Sequence, residues 1–129
     1  MLFNTSYFDK KIEKQINETI GGRFSFKERF RLKGIGSKRL TIMNISEEYK
    51  KYLNAEHYQS KANIELRPEG IIIHFKHKLQ VYSWVMPFSD LQIKNEKELN
   101  ITSNGKFIDF VEQLEADFLE KIDRMRTVP

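Results

Sequence analysis

The chain is 129 residues long, and 40% of them are hydrophobic, 12% aromatic and 31% charged, with a net charge of +4. This length fits a single domain, and the composition excludes collagen-like, low-complexity and wholly disordered chains. The absence of cysteine excludes disulfides, thiolate metal sites and catalytic thiols, and it fits a reducing compartment.

Targeting and membrane segments are not visible in the sequence. Residues 1–9 lack the basic start and the long apolar run of a signal peptide. The longest apolar stretch, residues 70–73, is far shorter than the roughly 18 residues of a spanning helix. We therefore expect a cytoplasmic protein without a membrane span.

Charge is distributed unevenly along the chain. Residues 1–61 hold 13 basic and 7 acidic residues, whereas residues 96–129 hold 5 basic and 8 acidic residues. The basic excess is concentrated in residues 22–39, where Glu28 is the one acidic residue. The basic residues of this segment are Arg23, Lys27, Arg29, Arg31, Lys33, Lys38 and Arg39. Such a run is typical of an anion-binding surface or of a solvated face.

The first predicted element is an amphipathic helix. Its apolar stripe recurs every four residues, at Phe8, Ile12, Ile16 and Ile20. Thr5 or Ser6 can cap its start, and Gly21 and Gly22 can end it. The stripe predicts a helix face that packs on the core.

The basic segment that follows fits either a helix or a strand. In a strand, the apolar residues Phe24, Phe26, Phe30 and Leu32 would share one face. In a helix, Ser25 and Glu28 form a capping box and Gly34 supplies the stop. The cap and the stop bound the same short stretch, which favours the helix.

Residues 40–45 are rich in β-branched side chains and fit a strand or a continued helix. Ser46 then caps a predicted helix that has Glu47 and Glu48 in its first turn and fades near Tyr58. We therefore assign residues 1–61 to a helical, basic N-terminal part and leave helix and strand open for residues 22–45.

From Ala62 the apolar residues alternate, as they do in strands. A turn at residues 67–70, with Pro68 at its second position, separates the first two strands, and further strands are predicted through Val85 and Ile93. Because both faces of the central strands are apolar, residues 62–111 predict a curled, mostly antiparallel sheet, a partial barrel, with helices packed on it.

The C-terminal part begins with a hairpin signal, Asn104-Gly105 between two short apolar runs. From about Glu112 the spacing is helical, with one apolar face and one acidic face. A single helix from Gly105 to Met125 is the open alternative for this region. The whole chain is thus predicted to be one α+β domain that ends in an amphipathic helix over residues 112–126.

The order of these elements is similar to that of bacterial pleckstrin-homology-like proteins over about residues 64–126. A glycine-started strand at Gly70 leads to the corner Trp84-Val85-Met86-Pro87-Phe88, and a hairpin and a final helix follow. The resemblance implies a PH-like fold and a binding module, but no lipid-binding residue is carried over. Trp84 lies on a strand, whereas eukaryotic members have a tryptophan in the final helix.

Residues 32–40 resemble the hairpin of helix-hairpin-helix DNA-binding motifs. In those motifs a Gly-hydrophobic-Gly turn and a helix N-terminus contact a phosphate. Gly34-Ile35-Gly36 would supply the turn, and Lys38 and Arg39 would begin the second helix. Leu40 departs from the small residue of that family, and a tight structural turn is the alternative interpretation.

No catalytic or metal constellation is visible. His74 and His77 would point to opposite faces of a strand, and no third ligand follows at a recognisable spacing. Glu65 and Asp90 lack an identifiable partner, and Ser83 has no histidine placed by a nucleophile-elbow motif. We therefore predict no enzymatic activity, no metal and no cofactor.

Two functions fit these patterns. The first is a non-enzymatic interaction module of the PH-like type, which binds a protein partner or self-associates through its oppositely charged parts. The second is sequence-independent nucleic-acid binding, with the seven basic side chains of residues 22–39 as phosphate contacts. An acidic final helix on the same face would repel that polyanion.

Overall fold

A computed structural model describes residues 1–53 and 60–126. Its elements in chain order are β1 (Leu2–Asn4), α1 (Lys10–Ile20), α2 (Phe26–Arg31), β2 (Leu40–Ile45), β3 (Lys61–Arg67), β4 (Gly70–His77), β5 (Gln80–Pro87), β6 (Leu91–Asn95), β7 (Leu99–Ser103), β8 (Lys106–Phe110) and α3 (Ala116–Arg126). Short 3-10 helices cover Glu47–Tyr52 and Phe88–Asp90.

The described strands form one antiparallel sheet of eight strands, in the order β1-β5-β4-β3-β2-β8-β7-β6. Two three-stranded meanders, β3 to β5 and β6 to β8, are joined by β2. Residues 40–41 of β2 pair with β3, and residues 42–45 pair with β8 after a register shift between Ile42 and Asn44. The sheet is not closed, and its edges are β1 and β6.

This architecture confirms the α+β class, the antiparallel sheet and the C-terminal helix. The likeness to pleckstrin-homology-like proteins stays a prediction.

The main core lies on one face of the sheet, where side chains of both meanders meet α3. Trp84, Ile64 and Phe110 are buried there together with Phe118 and Ile122 of α3.

Helix α1 covers the opposite face of the sheet, which we call the outer face. Its Ile20 packs against Ile72 of β4 and Val85 of β5. Gly70 permits this contact, because a Cβ atom at that position would clash with the Ile20 side chain and with the Met86 carbonyl oxygen. Both faces of the central strands are therefore covered, as their apolar residues predict.

The N-terminal helix is confirmed, but its predicted cap is wrong. Asp9 caps α1 by accepting hydrogen bonds from two backbone amides of the first turn, at 2.8 and 3.3 Å. Thr5 and Ser6 are bound to β5 instead, where the Thr5 amide donates to the Val81 carbonyl at 2.8 Å. Phe8 precedes the helix and is exposed.

The N-terminal part is less helical than predicted, since β1 and β2 belong to the sheet. Residues 40–45 are extended because their backbone supplies hydrogen bonds to both β3 and β8, and Ile42 and Ile45 fill the core. Ser46 does not cap the following 3-10 helix, because its hydroxyl accepts from the Phe107 amide at 2.7 Å. The predicted continuation toward Tyr58 lies outside the described residues.

The hairpin at Asn104-Gly105 is confirmed, with φ angles of 52° and 77°, and it excludes a single helix from Gly105 to Met125. Helix α3 begins at Ala116 rather than near residue 112. The cause is Asn95, whose side chain bonds to the amide of Leu114 at 2.8 Å and to its carbonyl at 3.0 Å. These bonds hold residue 114 outside the helix.

Candidate nucleic-acid interface

The helix predicted in the basic segment is present as α2. Ser25 accepts a hydrogen bond from the Glu28 amide at 3.2 Å, and the Glu28 carboxylate accepts from the Ser25 amide at 3.0 Å. These bonds, led by the one from the Ser25 amide, lower the pKa of Glu28. Lys33 and Gly34, at φ angles of 60° and 96°, end the helix. The capping box and the stop therefore fold this segment as the sequence predicts.

The phenylalanines of the segment fall into two groups. Phe24 lies before α2 and is buried in the core. Phe26 and Phe30 are 87% and 83% exposed, and none of the six residues of α2 is buried. Because they are four residues apart on a helix, their rings lie on the same side of α2. The basic segment therefore carries an exposed aromatic pair on a helix.

All seven predicted basic residues are exposed, but their contacts differ. Arg23 pairs with Glu13 at 3.2 Å, and Lys38 pairs with Glu115 at 2.6 Å. The Arg29 guanidinium donates to the Phe24 carbonyl at 3.2 Å. Within the described residues, four side chains make no hydrogen bond or ion pair: Lys27, Arg31, Lys33 and Arg39. We call residues 23–33, which contain the exposed phenylalanine pair and the cations Lys27, Arg29, Arg31 and Lys33, the α2 surface.

The acidic helix α3 lies beside one end of this surface. A cleft of about 660 Å³ separates residues 31–40 from residues 112–124, and it is lined by both signs of charge. Lys121 crosses it to donate to the carbonyls of Lys33 and Gly34, at 3.2 and 3.1 Å. We call it the α3 cleft. Glu115 of the cleft pairs with Lys38. Arg31 and Lys33 of the α2 surface also line the cleft, whereas Lys27 and Arg29 do not.

The helix-hairpin-helix interpretation of residues 32–40 is wrong. Gly36 forms a bridge with Glu65, and the Ser37 amide donates to the Ile64 carbonyl at 2.8 Å. Residues 35–37 therefore run along β3 as an extended segment, and Lys38 and Arg39 lead into β2 rather than into a second helix. The backbone amide of Ser37, on which such a phosphate site would draw, is used by β3.

A polar chain on the outer face was missed by the sequence reasoning. Glu65 contacts the buried Arg67 at 2.6 Å and His74 at 2.9 Å. The other ring nitrogen of His74 lies 2.8 Å from the Ser83 hydroxyl, and that hydroxyl lies 2.7 Å from the Thr5 hydroxyl. The prediction that Glu65 lacks an identifiable partner is therefore wrong. A signal was available, since the hairpin register puts these residues on one face of adjacent strands.

This series of hydrogen-bonded side chains contains the residue types of a hydrolase triad, but its geometry suits a structural role. Ser83 is 1% exposed, and its hydroxyl is hydrogen-bonded to Thr5 of the N-terminal segment rather than open to solvent. Arg67 also donates to the Asn17 side chain at 3.2 Å and to the Gly21 carbonyl at 3.0 Å. The polar chain thus fastens α1 and the N-terminal segment to the sheet.

Comparison with known proteins adds no family to this picture. No protein-family model matches the chain, and no curated protein or solved structure matches it either. Among residues 1–53 and 60–126, no group of three or more histidine and acidic side chains is placed to hold a metal ion. In the same residues, no helix has the length and apolar character needed to cross a bilayer.

Proposed function

We propose that this protein is a non-enzymatic binding module that binds single-stranded nucleic acid on the α2 surface without sequence preference. One observation carries the proposal. Phe26 and Phe30 are exposed on a helix with no buried residue, and Lys27, Arg29 and Arg31 adjoin them in sequence. Leaving a phenylalanine exposed forgoes about 1.5–3 kcal/mol of burial, which a partner can recover.

The chemistry of this surface favours a single strand over a duplex. Phenylalanine rings stack on the faces of unpaired bases, and each stacked base contributes about 1–3 kcal/mol. In a duplex those faces are covered by neighbouring base pairs. The basic side chains would neutralise the backbone phosphates, which do not depend on sequence.

The other candidate partners find less support in the described residues. Head-to-tail self-association would draw on charges that already meet in the α3 cleft, such as Lys38 and Glu115. An anionic membrane would suit the cations, but α2 is a helix of six residues with two apolar side chains to insert. The Ser83 hydroxyl is buried, which favours a binding function over hydrolysis. Labelling of Ser83 by a fluorophosphonate would overturn the proposal that the protein is not an enzyme.

The test is fluorescence anisotropy with a labelled deoxythymidine oligonucleotide of about 15 nucleotides, at several salt concentrations. If the four cations Lys27, Arg29, Arg31 and Lys33 of the α2 surface contact phosphates, log K against log salt has a slope near −2.8, from about −0.7 per contact. The Phe26→Ala/Phe30→Ala variant is expected to bind at least about 30-fold more weakly, since two stacked bases contribute about 2 kcal/mol or more.

A matched control is available in the N-terminal segment, where Tyr7 and Phe8 are 84% and 76% exposed. Tyr7→Ala/Phe8→Ala removes the same number of exposed rings and should leave affinity unchanged. Absence of binding at low salt, or equal effects of the two double variants, would overturn the proposal. So would binding to anionic vesicles without binding to the oligonucleotide.

A further inference from the structure

A second basic site lies on the outer face of the sheet, away from the phenylalanine pair. It is an open groove of about 390 Å³ beside β3 and β4, and none of its described lining residues is acidic. Its polar and charged lining includes Arg39, Lys61, Asn63, His74, Lys76 and Lys78. We call it the outer-face groove. Its volume lies in the range of small-ligand sites.

The strand register builds this groove. Residues 35–41 run along one edge of β3 and bring Arg39 beside it. On the other edge of β3, the pairing of Ala62 with Phe75 puts Lys61 opposite Lys76 on the outer face. Like charges at opposed positions of neighbouring strands destabilise a sheet unless an opposite charge lies between them.

The walls of the groove are fixed, whereas its cations are available. Both ring nitrogens of His74 are engaged, by Ser83 and by Glu65. Lys61 donates to the Thr41 hydroxyl at 2.6 Å. Arg39, Lys76 and Lys78 are exposed and, within the described residues, make no ion pair or hydrogen bond through their side chains. Three cations without an ion-pair partner among the described residues therefore lie around a groove in which the side chains of Lys61 and His74 are fixed by hydrogen bonds.

We propose that the outer-face groove binds a phosphate group, held by Arg39, Lys76 and Lys78. A planar guanidinium donates two parallel hydrogen bonds to phosphate oxygens, and lysine ammonium groups add point charges. The Asn63 side-chain amide, which lines the same groove, adds a neutral donor. This proposal stands on the groove alone and does not require the α2 surface to bind nucleic acid.

Two sources of the phosphate fit this geometry. The first source is a nucleic acid. Arg39 lines both the outer-face groove and the α3 cleft, so a nucleic-acid strand that leaves the α2 surface can continue into the groove. The alternative source is a free phosphomonoester that binds in the groove alone. The bound group is the same in both cases, and the length of the ligand distinguishes them.

The first experiment is an NMR titration of the full chain with inorganic phosphate, against chloride at equal ionic strength. We expect saturable shifts of the amides of Asn63, Lys76 and Lys78. In Lys76→Gln/Lys78→Gln the dissociation constant is expected to rise about tenfold or more, because two charged contacts are lost. Lys94→Gln/Lys97→Gln removes the same charge from the β6–β7 hairpin, outside the groove, and should bind phosphate like the wild type.

Absence of saturable shifts at these residues, or equal phosphate binding by the two lysine variants, would overturn the proposal. The second experiment repeats the oligonucleotide titrations with Lys76→Gln/Lys78→Gln. A salt slope shallower by about 1.4, from about 0.7 per contact, assigns the groove to a nucleic-acid backbone. An unchanged slope with lost phosphate binding assigns it to a free phosphomonoester. Phe26→Ala/Phe30→Ala should leave the phosphate shifts intact, so failure at the α2 surface does not affect this test.

Discussion

Arg67 is a fully buried cation on the outer face of the sheet, and it is only 1% exposed. Its guanidinium contacts the Glu65 carboxylate, the Asn17 side chain and the Gly21 carbonyl. Removing one partner of a buried ion pair is strongly destabilising, because the remaining charge stays desolvated. One side chain thus joins β3 to the helix that covers it.

Glu65 makes the stability of this protein depend on pH. Burial acts to raise the pKa of Glu65, but hydrogen bonds from His74 and Arg67 outweigh it and lower that pKa from 4.5 to about 2. A carboxyl whose pKa is lower in the folded state stabilises the fold above its unfolded pKa. The contribution, roughly 3 kcal/mol for this shift, is lost as the pH falls from about 4.5 to about 2.

The variant Glu65→Gln tests this linkage. We expect the free energy of unfolding near pH 7 to fall by about 3 kcal/mol, since Arg67 loses its counter-charge. Urea unfolding between about pH 7 and pH 3 should then show a shallower loss of stability in acid than in the wild type. The exposed Glu96→Gln is the control, and an acid response of Glu65→Gln equal to that of the wild type would contradict the prediction.

At the scale of elements, α2 is stabilised by hydrogen bonds at its ends rather than by packing against the core. None of its residues is buried, so the capping box of Ser25 and Glu28 contributes much of its stability. Ser25→Ala is expected to cost α2 about 1 kcal/mol, and to speed hydrogen exchange of its amides about fivefold. The global unfolding midpoint should hardly change, because α2 contributes no core side chain.

Hydrogen exchange followed by NMR measures this local effect, with the exposed Ser89→Ala as the control. Unchanged exchange in residues 26–31, or a matching loss of global stability, would contradict it. Weaker oligonucleotide binding by Ser25→Ala is also expected, since an unwound α2 no longer holds Phe26 and Phe30 on one side.

Elements with strong local signals could be predicted from the sequence. The capping box at Ser25 and the hairpin at Asn104-Gly105 form from adjacent residues, so the pattern determines them. The strand Leu2–Asn4 could not be predicted, because three residues show no periodicity and it is extended only through pairing with β5. The caps assigned to Thr5 and Ser6 failed for the same reason, since distant residues of β5 compete for them.

At the scale of the whole molecule, the fold brings the basic segment and the acidic helix to the two sides of the α3 cleft. The seven basic residues of the candidate site could be predicted from the distribution of charge along the sequence. Their division could not, because the pairing of β2 with β8 decides which of them lie near carboxylates. Nor could the outer-face groove, which combines residues from three separate segments.

The carboxylates of the α3 cleft are expected to weaken nucleic-acid binding on the α2 surface. Glu115→Gln/Asp117→Asn removes two of them and releases Lys38 from its ion pair. We expect roughly fivefold tighter oligonucleotide binding at low salt, by about 1 kcal/mol of relieved repulsion. The salt slope should steepen by about 0.7 if Lys38 gains a phosphate contact. Anisotropy measures both, and an equal gain in Glu96→Gln/Glu98→Gln would show an effect of net charge alone.

Strands β1 and β2 also bring together segments that are far apart in the sequence. Both meanders join neighbouring segments, but contacts of the N-terminal segment with β5 span 78 residues, and contacts from the end of β2 to β8 span 61. Closing long loops costs entropy before any contact compensates for it, and this cost slows folding more than it reduces stability. We therefore expect the two segments with the weakest local signals to set the folding rate of the chain.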